Sequence, residues 1–140
     1  MSFYLDTSIL VPLHIEEPAS ARLHKWLQDA GEPMIVASLA VLEFRSVVSR
    51  LIRMKQVTPA IAADIISDFD RWRGIAATYA DNLPVDIHAA AELIREPHPP
   101  LLPADAIHLA TCKRLGATFV AHDGNLLEIA SRLSVACLSP

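Results

Sequence analysis

Phe3-Tyr4-Leu5-Asp6-Thr7-Ser8 near the start of the chain and Thr118-Phe119-Val120-Ala121-His122-Asp123 near its end share one layout, a short apolar run that stops at an acid. Each run has the length of a buried strand, and each acid stands where a strand gives way to a turn or helix. In a parallel α/β sheet the carboxyl ends of the strands share one edge, and ligands bind in the crevice outside it. Asp6 and Asp123 are therefore expected to converge there. Glu43 and Asp105 lie in the first turns of two helical stretches and are expected to reach the same edge from neighbouring helices. Carboxylates crowded in this way repel one another and lose solvation, so the cluster is costly unless a divalent cation compensates it. Magnesium or manganese suits an all-oxygen donor set. Taken singly, each acid fits equally well as a helix-capping or dipole-balancing residue.

The intervening sequence alternates strand-like and helix-like periods without a linker, repeat or low-complexity block. Leu23, Trp26, Leu27 and Ala30 mark a helix over Ser20 to Ala30, stopped by Gly31. Met34 to Ala37 reads as a strand, and Ser38 as the cap of a helix with Val41, Leu42, Phe44, Val48, Leu51 and Ile52 on its apolar stripe. Thr58-Pro59 opens another helix, followed by a strand ending near Val85 and a helix capped by Asp86 that runs to about Arg95. Pro97-His98-Pro99-Pro100 fixes an extended loop. Pro103-Ala104-Asp105 starts a helix that Gly116 closes, a further helix contains Leu127, Ile129 and Leu133, and Val135 to Leu138 reads as an edge strand. Right-handed crossovers then give a three-layer α/β/α architecture around a parallel sheet of about four to five strands, in one domain over residues 1–140. Trp26, Trp72, Phe44 and Phe69 fall at helical intervals among aliphatic residues and read as packing groups.

With 52% hydrophobic and 20% charged residues, the 140-residue chain has the composition of a globular protein with a sizeable core. Lys and Arg number 12 against 16 Asp and Glu, a net charge of -4, so overall attraction to nucleic acid is not expected. Arg45, Arg50, Arg53 and Lys55 nonetheless concentrate positive charge locally. Cys112 and Cys137 do not suggest a disulfide framework. With neither a leader-like start nor a bilayer-length apolar stretch, the expectation is a soluble, cytoplasmic protein. No zinc motif of His-Glu-x-x-His or Cys-x-x-Cys type occurs, and the 4 glycines form no phosphate loop.

The ordered set Tyr4-Leu5-Asp6-Thr7-Ser8, Ser38-Leu39-Ala40-Val41-Leu42-Glu43-Phe44, Leu102-Pro103-Ala104-Asp105-Ala106-Ile107-His108-Leu109-Ala110 and Phe119-Val120-Ala121-His122-Asp123 resembles the PIN-domain nucleases over nearly the whole chain. Within that family it is most similar to VapC-type toxins of bacterial type II toxin–antitoxin systems. The resemblance implies a magnesium- or manganese-dependent ribonuclease, a homodimer, and a cognate VapB-like antitoxin. It makes Asp6, Glu43, Asp105 and Asp123 the acidic quartet. Asp6, Asp105 and Asp123 would be the metal ligands, and Glu43 would orient water or a second ion. Thr7, Ser8, His108 and His122 are expected as supporting residues, and Arg45 and Arg50 as contacts to RNA. Many relatives carry Thr or Ser where this chain has Ala121, which removes one supporting hydroxyl.

A divalent ion lowers the pKa of water and makes hydroxide available near neutral pH, so no side-chain nucleophile is needed. The family resemblance implies products with a 5′-phosphate and a 3′-hydroxyl. Readings from other classes are a phosphoacceptor domain, a housekeeping PIN nuclease and a silent PIN scaffold that binds RNA or protein. The phosphoacceptor requires a lysine at a late strand end, where this chain has Ala121-His122-Asp123. A silent scaffold has no reason to retain four mutually repelling acids.

Overall fold

The computed structural model describes residues 1–140. In chain order the elements are β1 (Phe3–Leu5), α1 (Thr7–His14), α2 (Ser20–Asp29), β2 (Met34–Ala37), α3 (Ser38–Arg53), α4 (Pro59–Ala76), β3 (Ala77–Ala80), α5 (Pro84–Ile94), α6 (Pro103–Leu115), β4 (Thr118–Val120), α7 (Gly124–Arg132) and β5 (Cys137–Leu138). The five strands form one sheet in the order β3-β2-β1-β4-β5, parallel at every pairing. The order reverses beside β1, so the β1/β4 pair is the switch point where a parallel sheet opens its crevice. Asp6 follows β1, and its backbone N–H donates to Val120 at the end of β4 over 3.0 Å. Asp123 lies just beyond.

Strand alternation divides the interior between two layers. Leu5, Val36 and Val120 pack with Ile9 and Leu10 of α1, Leu23 of α2, Phe44 and Val48 of α3, and Phe69 of α4. Tyr4, Ile35 and Phe119 turn to the opposite face, against Leu109 and Cys112 of α6 and Leu126 and Ala130 of α7. This is the expected three-layer α/β/α arrangement. Phe44 and Phe69 stack at 4.0 Å inside the first layer, with His14 edge-on to both, while Trp26 and Trp72 pack at its margin. These aromatics serve packing. Both cysteines are free thiols. No helix is long and apolar enough to cross a membrane.

Three local expectations require correction, and one helix is not assigned from the sequence. The stretch after Asp6 is the helix α1, capped by Asp6 itself, whose carboxylate accepts from the Ser8 N–H. Pro12 inside it obscures the helical pattern, since proline cannot donate to the carbonyl one turn back. Ser38 does not cap α3; its hydroxyl donates to Asn82 Oδ1 over 2.8 Å. The strand expected near Val85 is β3, earlier in the chain, and Val85 belongs to α5. Asp86 is the third residue of α5, not its cap, and reaches back to the Leu83 N–H over 2.8 Å. Elsewhere the punctuation reads as expected. Thr58 caps α4 by accepting from the Ile61 N–H, and Gly116 closes α6 at φ +63°, a left-handed conformation that suits glycine.

Candidate functional site

Asp6, Glu43, Asp105 and Asp123 meet at the carboxyl edge of the sheet, held to very different degrees. Asp6 is buried, and its Oδ2 accepts from the Ser8 N–H at 2.9 Å and the Ser8 hydroxyl at 2.5 Å. The same hydroxyl accepts from the His122 backbone N–H at 3.1 Å, which ties the end of β4 to the start of α1. Glu43, one and a half turns into α3, accepts on Oε1 from the Thr7 hydroxyl at 2.9 Å and from His108 Nε2. Burial works against its charge, but the bonds from His108 and Thr7 prevail and hold its carboxyl below the usual range. Asp123 caps α7, accepting on Oδ1 from the N–H groups of Asn125 and Leu126. In each of these three acids the bonds fall on one oxygen, which leaves the other for a ligand.

Asp105 differs. It stands in the first turn of α6, half-buried, and its carboxyl is pushed up by burial and then by the charge of Asp6, with Glu43 and Asp123 adding to it. His108 pulls the other way but does not prevail. Asp105 and Asp123 share a cleft of about 460 Å³ with Leu101, Leu102, Leu126 and Ile129. On the other side of the acids, Thr7, Ser8, His122 and Arg50 line a groove of about 610 Å³ with Val11 and Pro12.

Of the supporting residues expected from sequence, Thr7, Ser8 and His108 contact the acids directly. His122 contributes its backbone, while its ring Nε2 is buried without a partner. Arg50 is exposed beside Thr7 and Ser8, whereas Arg45 points to α4 and pairs with Asp70 at 2.6 Å. Sequence reasoning missed Tyr4 and Asn82. The Tyr4 hydroxyl lies 2.8 Å from His108 Nδ1, and the Asn82 side chain bonds Ser38, Leu39 and Thr111 around it. The available signal was a tyrosine two residues before Asp6 in a buried strand, since a buried phenol needs a polar partner.

With the side chains as they stand, no three His, Cys, Asp or Glu groups are arranged around one point to hold an ion. Asp6 is turned to Ser8, and Glu43 to Thr7 and His108. The donor set is nevertheless suited to a hard divalent cation, because oxygen donors predominate and three negative neighbours disfavour the charge on Asp105.

The PIN domain family pattern matches residues 3–132, and this chain belongs to the PIN-domain family. Within it, the chain is 32% identical over 145 aligned residues to Ribonuclease VapC35 of Mycobacterium tuberculosis, covering 98% of this chain and 96% of that protein. Solved structures share the fold at lower identity. Mycobacterium tuberculosis VapC20, a Sarcin-Ricin loop cleaving toxin, superposes with a TM-score of 0.75 at 15% identity over 99% of each chain. A chain of VapBC2 from Rickettsia felis, solved bound to a DNA fragment from its promoter, gives 0.74 at 15% identity over 100% of this chain and 99% of that one.

Proposed function

We propose that this chain is a divalent-metal-dependent endoribonuclease and the toxin of a type II toxin–antitoxin pair, acting in the cytoplasm as a single-domain homodimer. One observation carries the chemistry: Asp105 stands among three other carboxylates with no Lys or Arg paired to it. A buried acid cluster of this kind costs stability unless a ligand repays it. The 32% identity to a ribonuclease along almost the full length supports RNA as substrate. Similarity to VapBC assemblies supports a VapB-like antitoxin as partner.

Asp6, Asp105 and Asp123 would hold magnesium or manganese. When bound, the cation supplies Lewis acidity and lowers the pKa of water near the scissile phosphate. Ser8 fixes Asp6, the α7 N-terminus fixes Asp123, and Thr7 with His108 fixes Glu43 as the acceptor that orients water. The two clefts beside the acids give a single strand a path across them, with Arg50 on the wall of one. Arg45 is committed to Asp70, so it contributes less. Leu42, Val85 and Ile87 are exposed apolar residues of α3 and α5 and give a second copy a face to bury.

Cleavage of single-stranded RNA by the purified chain, with magnesium, with manganese and with chelator, tests the reading. Cleavage should require the ion and be absent in Asp6→Asn. Expression alone should arrest growth, and the adjacent small open reading frame should restore it. A chain that cleaves RNA yet leaves growth unaffected is a housekeeping nuclease. One that binds RNA without cleaving it in any metal is a silent scaffold.

A further inference from the structure

Asp105 and Asp123 line a cleft whose remaining walls are largely apolar. Its volume of about 460 Å³ suits a small organic group. Pro100 and Leu102 wall it from the approach to α6, and Leu126 and Ile129 from α7. Leu102 stands at the N-cap of α6, where Ser, Thr, Asp or Asn would bond the free helix N–H groups, yet it makes no cap bond and is 70% exposed. Neither capping nor burial within this chain accounts for a leucine there.

The charges of the cleft repel a phosphate and leave room for a base. Asp105, Asp123 and Glu128 all line it, and its one cation, Arg132, is paired with Glu128 one turn earlier. An anion entering it away from the metal site therefore meets net negative charge. The groove on the other side of the acids differs, because Arg50 stands exposed there with a single acid, Glu17, on the same walls. Phosphates have a cation to follow on that side, and a neutral, flat group fits the cleft. Asn125, the second residue of α7, adds a polar handle. Its backbone N–H donates to Asp123 Oδ1 at 2.9 Å, which holds it beside the acid, while its exposed side-chain amide offers a donor and an acceptor to the cleft.

We propose that this cleft is a base-binding subsite beside the scissile phosphate, in which Leu102 and Ile129 pack on the faces of an unstacked base and the Asn125 amide bonds its edge. A base splayed out of its strand is held by just such contacts, apolar on its faces and polar on its edge. Asn125 is then the specificity-determining residue, since the four bases present different donor and acceptor patterns to it. The substrate and the cleavage rest on the nuclease reading above; the preference of the cleft for a base over a phosphate does not.

Methyl and side-chain amide NMR spectra of Asp6→Asn in magnesium, titrated with a short single-stranded RNA and with an abasic strand of the same length, read the subsite without cleavage. Signals of Leu102, Ile129 and Asn125, assigned by single substitution, should move with the RNA and stay in place with the abasic strand. Cleavage by the parent is then compared on four oligonucleotides that differ only in the base next to the cleavage site. The parent should favour one of them in kcat/KM by roughly 10-fold or more. Asn125→Ala should flatten that preference, Leu102→Ser should lower kcat/KM for the favoured base by roughly 10-fold, and Arg50→Gln should slow all four alike. Signals that the abasic strand moves equally, or that neither strand moves, overturn the proposal, as does a parent that cleaves all four oligonucleotides equally. Signals that shift on concentrating the protein without RNA make the cleft a contact between copies and overturn it as well. An RNA that moves the signals while its abasic counterpart does not, but that the parent cleaves in no metal, retires the nuclease reading and leaves the base subsite standing.

Discussion

Leu83-Pro84-Val85-Asp86 and Leu102-Pro103-Ala104-Asp105 open neighbouring helices with the same pattern, and the two aspartates meet opposite fates. Asp86 is 1% exposed, accepts the Leu83 N–H, and receives Arg114 Nε at 2.7 Å and Nη2 at 2.8 Å. Burial alone would raise its carboxyl, but the Arg114 hydrogen bonds and charge hold it below the usual range. Asp105 is more open, makes no such cap, and is pushed up by burial and three carboxylates. Arg114 lies on α6, the helix that carries Asp105, yet serves the acid of α5. The comparison shows that position within a helix does not define a site. What distinguishes Asp105 is the compensating charge withheld from it.

The largest expected effect is on catalysis. Asp6→Asn and Asp105→Asn should each lower RNA cleavage by more than about 100-fold while circular dichroism shows the fold intact, because metal ligands carry the rate. Arg114→Met tests the other member of the pair. It strands the buried charge of Asp86 and should cost about 3 kcal/mol in denaturant unfolding, with cleavage retained by the folded fraction. Equal losses of activity from both classes of variant would erase the contrast.

His14 extends the comparison to a base. Its ring sits among Phe44, Phe69 and Trp72, its Nε2 has no partner, and burial lowers its pKa from 6.5 to about 4. Below the ordinary value the unfolded chain takes a proton that the folded ring refuses, so stability falls as pH drops from 6.5 toward 4. Discounted for partial exposure, the contribution is about 1–2 kcal/mol. It should vanish from the pH profile of His14→Phe, measured as the difference from the parent across that window. The smallest effect concerns a third helix start with proline at its first position. Thr58→Ala removes a hydroxyl cap from α4 and should cost about 1 kcal/mol without changing cleavage.

The strand ends were legible because Phe3 to Leu5 and Phe119 to Ala121 are apolar runs that stop at polar residues. β3 was not, since Ala77-Thr78-Tyr79-Ala80 is an edge strand with an exposed middle and lacks a buried strand's signal. The acids were found from their order along the chain; their local context could not separate Asp105 from Asp86. Partners assigned across the fold, such as Arg114 to Asp86 and Tyr4 to His108, join residues far apart in sequence and leave no mark at either position.

Thermal unfolding of the parent and Asp105→Asn, first in chelator and then in manganese, tests most directly whether Asp105 is an acid kept unpaired for a cation. Without metal, removing its charge relieves repulsion, so the variant should melt at or above the parent. Manganese should raise the melting temperature of the parent and leave Asp105→Asn unmoved. A variant that melts well below the parent in chelator, and that manganese stabilises as much as the parent, would make Asp105 a structural acid like Asp86 and contradict the account.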